Sequence, residues 1–228
     1  MPVAIVTGAS RGLGAALASA LVNQGWSVVI DARDAEALEK TAAELAGLGG
    51  TVTALAGDVN DPVHRQALVE AVGERSLDLL VNNASSLGPS PLPSLTELSP
   101  EQLTEVFATN AVAPLALVQA VATALRRSSR PRIVNVTSDA SVVAYPGWGG
   151  YGASKAALDQ LGAVLAAEEP GWTVWTVDPG DLRTRMHQDA FPGEDISDRP
   201  EPETVVPAFL ALIASLRPSG RLRLAEVA

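Results

Sequence analysis

The chain has 228 residues, 47% of them hydrophobic, and no cysteine, which is enough for one domain with a single core and excludes a disulfide framework or thiolate metal site. Lys+Arg number 16 against 26 Asp+Glu, a formal net charge of −10, the wrong balance for a nucleic-acid surface. No apolar run reaches the roughly 18 residues of a membrane span, and "MPVAIVTGAS" opens with no basic and then apolar leader, so no membrane or nucleic-acid partner and a cytoplasmic setting are expected.

In chain order, "VAIVT" (3–7) predicts a strand, 13–24 a helix, "WSVVI" (26–30) a strand, 34–46 a helix, "TVTAL" (51–55) a strand and 62–73 a helix. "LDLLVN" (77–82), "RIVNVTS" (132–138) and "WTVWTV" (172–177) continue the strands, separated by helical stretches at 100–127 and 151–168, and "SGRLRLAEVA" adds a last strand. The strands barely alternate in polarity, as when both sheet faces are covered. Repeated β-α-β units predict a Rossmann-type doubly wound parallel sheet, α/β in class, with residues 1–228 as one domain. Pro114 interrupts the fourth helical stretch and is placed in the first turn of a second helix starting near Asn110. "SSLGPSPLPS" (85–94) and "HQDAFPGEDISDRPEPE" (187–203) follow strands and are candidate pocket walls; 185–203 reads as a short substrate loop. The basic run "RRSSRPR" (126–132) reads as a solvated helix end. His64 and His187 have no metal-ligand spacing and read as surface residues, and no metal is expected.

"TGASRGLG" joins the first strand to the first helix. Gly8, Gly12 and Gly14 allow a tight turn and close backbone approach, and the helix N-terminus offers free N–H groups to a pyrophosphate. A dinucleotide site is the better reading than mere turn punctuation. After the second strand an acid would select NAD and a cation NADP. In "VVIDARD" Asp31 argues for NAD but lies one position early, with Ala32 at the discriminating place. Arg33 and Arg11 are in reach of a 2′-phosphate and Ser10 is a donor to it, so NADP(H) is favoured over NAD(H).

"TGASRGLG", "GDV" (57–59), "NNA" (82–84), Asn110, Ser138, Tyr151-x-x-x-Lys155 and "PGDLRT" (179–184) occur in this order. The series resembles the short-chain dehydrogenase/reductase family over essentially the whole chain. The resemblance implies a seven-stranded sheet of order 3-2-1-4-5-6-7. It implies that Gly8, Gly12, Leu13 and Gly14 hold a pyrophosphate. Asp58 and Val59 would meet the adenine, Asn82 and Ala84 the ribose, and Pro179, Gly180, Leu182 and Thr184 the nicotinamide end. Asn110, Ser138, Tyr151 and Lys155 would form the catalytic set. Short matches in "NNASSLG", "AAEEP" and "PGDLRTRM" are similar to the sepiapterin and benzil reductase branch, which implies an aromatic or vicinal dicarbonyl substrate.

The implied chemistry is physically coherent. Reducing a carbonyl by hydride leaves an alkoxide that needs a proton. A free tyrosine has a pKa of about 10, and matching it to neutral pH asks for about 4 kcal/mol. A cation about 4 Å away at an effective dielectric near 20 supplies that order of energy, and Lys155 lies one helical turn from Tyr151 on the same face. Tyr151 then serves as general acid in reduction and base in oxidation. The family pattern gives Ser138 a hydrogen bond to the substrate oxygen and Asn110 a water leading from Lys155 to solvent. Val142, Val143, Tyr145, Trp148, Leu87, Leu92, Met186 and Phe191 are the expected substrate lining, with Arg185 and His187 in a solvated loop.

Three departures stand out: Ser85 replaces the family's usual glycine, Asp31 clouds the cofactor choice, and the chain is shorter than most relatives after residue 184. The reading is an NADPH-dependent carbonyl reductase. Its alternatives are an NAD-linked alcohol dehydrogenase and a non-catalytic NADP-sensing protein. The resemblance also implies a homodimer or homotetramer, paired through the helices after Asn110 and Tyr151.

Overall fold

The computed structural model describes residues 1–227. Seven parallel strands form one sheet in the order β3-β2-β1-β4-β5-β6-β7. They are β1 (Val3–Val6), β2 (Ser27–Ala32), β3 (Thr51–Ala56), β4 (Leu79–Asn82), β5 (Arg132–Val136), β6 (Thr173–Asp178) and β7 (Gly220–Arg223). The crossover helices are α1 (Gly12–Asn23), α2 (Ala35–Leu45), α3 (Pro62–Val72), α4 (Pro100–Phe107), α5 (Ala113–Arg126) and α6 (Gly149–Glu168), followed by α7 (Arg185–Ala190) and α8 (Val206–Ala214). The expected single α/β sheet and its strand order are therefore observed.

Successive residues of the central strands point to opposite faces, and each face has its own core. Val6, Ile30, Val81 and Trp175 pack with Leu17 and Leu21 of α1 and Phe209 of α8. Ile5, Val29, Leu80 and Ile133 pack with Leu68 of α3 and Leu117 and Val121 of α5. Both faces being apolar explains why the strands show no alternation in sequence. Each such side chain contributes roughly 1.5–3 kcal/mol by burial, and Phe209→Ala is expected to cost about 3–5 kcal/mol.

Local signals set the helix starts. Asp34 accepts from the Ala37 amide, Asp61 from that of Val63, and Ser99 forms a capping box with Gln102, each satisfying amides that the helix leaves unpaired. Against the expectation that no apolar run is long enough, the segment from Pro100 to Arg126 could cross a membrane by length and composition, but half of its apolar window is buried in the core.

Two sequence expectations are corrected here, and a third is extended. The helix does not restart near Asn110. It continues through a wide π turn, Ala108–Val112, because Pro114 has no N–H to offer the Asn110 carbonyl four residues back. The basic run lies at an exposed helix end, as expected, and also ties neighbouring segments together. Arg126 pairs with Glu169, Arg127 donates to the Gly73 and Arg75 carbonyls, and Arg130 donates to that of Ser215. His64 is not a surface residue. It is buried, its Nε2 lying 3.1 Å from Asp31 Oδ2.

Candidate active site

A cleft of about 920 Å³ runs along the carboxyl ends of the strands, from Arg33 and Asp58 at one end to Tyr151 and Met186 at the other. The position is the one expected where the strand order reverses about β1 and β4.

At the first end the phosphate turn folds back on α1. Gly8 has φ +65° and Gly12 +58°. A Cβ on Gly8 would lie 2.8 Å from the Ala84 Cα, and one on Gly14 would lie 2.5 Å from the Gly8 carbonyl oxygen. Only glycine fits such approaches. No side chain caps α1, so its first amides face the cleft, beside Ser10, Arg11, Gly12 and Leu13. This cradle suits a pyrophosphate in shape and in donor chemistry. Arg11 pairs with Asp34 at 2.5 Å. Arg33 is exposed and has no acidic partner among the described residues. Asp58 and Val59 line the cleft beyond it.

Asn82 departs from its expected place. Its Nδ2 donates to Asn135 Oδ1 at 2.8 Å inside the sheet, because β4 pairs Asn82 directly with Asn135 on β5. Its neighbour Asn83 lines the cleft with Ala84 and holds the turn, donating to the carbonyls of Thr7 and Gly8.

At the other end Pro179, Gly180, Leu182 and Thr184 line the cleft. Asp178 Oδ1 accepts from the Gly180 amide at 3.0 Å. Thr184 caps α7 by accepting from the His187 amide.

Tyr151 and Lys155 sit one turn apart in the first half of α6, both buried. Lys155 Nζ donates to the Val136 carbonyl at 2.8 Å and lies 5.5 Å from the centre of the Tyr151 ring. Burial pushes the ammonium down to about 8, while Asp159 acts to raise it. Burial also pushes the Tyr151 phenol up. The hydroxyls of Ser85 and Ser138 act to lower it, and the charges of Asp178 and Asp139 add to the rise. Within this chain the largest influence on the phenol is burial, which acts against its ionisation.

Ser138 Oγ donates to Asp139 Oδ1 at 3.0 Å and accepts from the Ala140 amide. Arg221 of β7 fixes this segment, donating to the Ser138 carbonyl and to Asp159 Oδ2 on α6. Asn110 is fully buried in the π turn. Its Oδ1 accepts from Ser85 Oγ (3.1 Å) and the Ser86 amide (2.7 Å), and its Nδ2 donates to the Ser86 carbonyl and Ser154 Oγ. All four bonding positions of the amide are used. The side chain braces the 85–86 loop against α6, so a relay water would fall to the Asn110 carbonyl, which Pro114 leaves without an amide partner.

The substrate expectation divides. Leu87, Trp148 and Met186 line the cleft, and Leu92 packs against their cluster with Tyr151. Trp148 stands edge-on to Tyr151 at 5.7 Å and 5.9 Å from Phe191, which stacks on His187 at 4.9 Å. His187 is thus packed into the wall rather than solvated, with a buried Nε2 that has no partner. Arg185 is exposed and lines the cleft mouth. Val142, Val143 and Tyr145 lie outside the cleft: Val142 is 62% exposed, and Tyr145 donates to Asp139 Oδ2 at 2.8 Å. The short turn at Asp139–Ser141 rotates them outward.

Sequence reasoning missed Asp139, Asn83 and Arg221. Asn83 had a signal, the doubled asparagine after β4. Arg221 had none, since nothing in a basic residue on a last strand says what it will meet.

The short chain dehydrogenase family matches residues 2–195. A 3-oxoacyl-[acyl-carrier-protein] reductase of rhamnolipid biosynthesis from Pseudomonas aeruginosa is 36% identical over 193 residues, 81% of this chain and 74% of that protein. Sepiapterin reductase from Meriones unguiculatus is 34% identical over 199 residues, 82% and 76% of the two chains. A short-chain dehydrogenase structure from Pseudomonas syringae superposes with TM-score 0.91 at 29% identity, covering 98% of this chain and 94% of that one. One from Escherichia coli CFT073, solved with NADPH, gives TM-score 0.88 at 28% identity, covering 98% and 96%. The chain belongs to the short-chain dehydrogenase family and is a nicotinamide-dependent oxidoreductase of the alcohol and carbonyl class.

Proposed function

We propose that the protein is an NADPH-dependent reductase of ketones or aldehydes, with Tyr151 as general acid. The observation that carries this reading is geometric: Ser138, Tyr151 and Lys155 line one end of the cleft whose other end is the phosphate turn. A phenol, protonated at neutral pH, is the form that gives a proton in reduction. NADPH, when bound, supplies the hydride. Ser138 orients the carbonyl oxygen, Tyr151 gives it a proton, and Lys155 keeps a positive charge beside the phenolate that remains. The acidic pull of the nearby Asp139 and Asp178 is balanced by Arg221 and Arg223, which lie within 4 Å of Asp178.

NADPH is preferred on the strength of the unpaired Arg33, with Asp31 engaged elsewhere. Two further structural neighbours, from Shigella flexneri and from a metagenomic source, were solved with NADP. The wall of Trp148, Phe191, Leu87 and Met186 favours a flat, largely apolar substrate. The activities of the relatives share no single substrate.

The test is to follow NADPH and NADH consumption over a panel of aromatic ketones, vicinal diketones and pterins. Turnover with NADPH supports the reading; tighter binding and faster turnover with NADH overturn the cofactor preference, and no turnover with either favours a sensing role. We also infer a homo-oligomer. Val112, Leu115 and Val164 are exposed apolar residues on the two helical segments the family pairs between subunits, and light scattering giving a monomer mass overturns this.

A further inference from the structure

Asp31 ends its strand fully buried, and a buried carboxylate persists only with partners. It has them on three sides. Its carbonyl accepts from the Ala9 amide at 2.8 Å. Its Oδ1 accepts from the Gly8 amide at 2.8 Å. Its Oδ2 lies 3.1 Å from His64 Nε2. A carboxylate only accepts, so that nitrogen carries the proton and donates. Two consecutive amides of the phosphate turn therefore hang on one residue of β2.

His64 comes from α3, on the far side of the adenosine segment. Its ring fills the space under Gly57, where a Cβ would lie 2.1 Å from Nδ1. The Gly57 amide in turn donates to the Ala32 carbonyl at 2.9 Å. One imidazole thus touches both the residue that carries the turn and the segment, Gly57 to Val59, that walls the adenosine end of the cleft.

We propose that Asp31 and His64 are cofactor-positioning residues: a buried carboxylate–imidazole bracket that sets the spacing between the phosphate turn and the adenosine wall and holds Asp31 away from the ribose. The proposal rests on the dinucleotide reading above. Asp31 is 0% exposed, with each carboxylate oxygen turned to a donor inside the chain, so it presents no acceptor to a 2′-hydroxyl and no charge to a 2′-phosphate, and Arg33 is left to meet that phosphate. The same acid, free, would select against NADPH.

The experiment is equilibrium titration of the full chain with NADPH and NADH, with kcat and KM for NADPH measured alongside. His64→Leu removes the donor. Gly57→Ala keeps both the carboxyl and the imidazole and displaces the ring. Each is expected to weaken NADPH binding about tenfold, the worth of a hydrogen bond to a charged group. The loss should fall on Kd and KM rather than kcat, and be larger for NADPH than for NADH. His64→Gln, which retains an N–H donor, should recover most of the affinity. Wild-type affinity in both His64→Leu and Gly57→Ala, or an equal loss in His64→Gln and His64→Leu, overturns the bracket. If His64→Leu does not fold, Gly57→Ala decides alone. A wild-type chain that binds neither dinucleotide overturns the functional reading itself and the bracket with it.

Discussion

The two ends of the cleft are built by different means. The adenosine end is made largely of backbone: positive-φ glycines, turn amides held by Asp31, turn carbonyls held by Asn83, and a capped start to α2. Its buried polar groups are paired within the chain, while the first amides of α1 and the Arg33 side chain are left for a ligand. The reaction end is made of side chains whose demands conflict. Lys155 is pushed down and Tyr151 and Asp178 up by burial, and His187 Nε2 and Asp159 Oδ1 are buried with no partner. A site that only binds can satisfy its buried groups before its ligand arrives and keep only its surface donors waiting. A site that moves protons holds groups away from their resting pKa, and that costs stability.

The comparison breaks first at Tyr151. Tyr151→Phe is expected to lower carbonyl turnover about 10³-fold while leaving NADPH affinity and the melting temperature close to wild type. Unchanged turnover, measured by NADPH consumption, would remove the phenol from the mechanism. At the opposite end Gly8→Ala should do the reverse. Its φ of +65° and the 2.8 Å approach to Ala84 leave no room for a Cβ, so NADPH affinity should fall about tenfold or more for a strain of about 1–2 kcal/mol. An Ala variant that binds normally would mean that the turn is not tightly built.

A third difference appears in stability. Lys155 titrates near 8 when folded against 10.5 as a free side chain. Between these values the unfolded chain holds more protons than the folded one, so stability rises with pH across that window. Below about pH 8 the folded protein carries a buried ammonium at a cost. Lys155→Met should therefore melt a few degrees above wild type at pH 7, with little turnover, and the gap should narrow between pH 8 and 10.5. A gap that widens in calorimetry over that range would show the ammonium to be stabilising where it sits.

The same division explains what the sequence could disclose. Strand order, the phosphate turn and the Tyr-Lys spacing are local patterns, each legible in a few adjacent letters. Placements that depend on distant partners were not. Asn82 is turned into the sheet by a cross-strand partner 53 residues away. His64 is drawn inside by Asp31, 33 residues earlier. Val142 and Tyr145 looked like pocket residues by composition, but the Asp139 turn decides their direction. The direction of the shift at Tyr151 was likewise illegible, since a spacing of four says nothing of how deeply the phenol is buried.

The smallest effect is expected at Ser85, the departure from the family pattern that sequence alone left without a role. Its hydroxyl lies between two partners, donating to Asn110 Oδ1 at 3.1 Å and facing the phenol, which it acts to acidify. It has one proton to give. While Tyr151 is neutral that proton serves Asn110; once Tyr151 has lost its own, the phenolate is the stronger acceptor. Asn110 is not stranded by the change, because the Ser86 amide still donates to the same oxygen at 2.7 Å. Ser85→Gly and Ser85→Ala should both raise the pKa governing alcohol oxidation by about half to one unit, the worth of one hydrogen bond, with maximal rate little altered. The pair separates the hydroxyl from backbone flexibility: a shift in the glycine variant alone would belong to the loop, and none in either would leave Ser85 as a brace for Asn110.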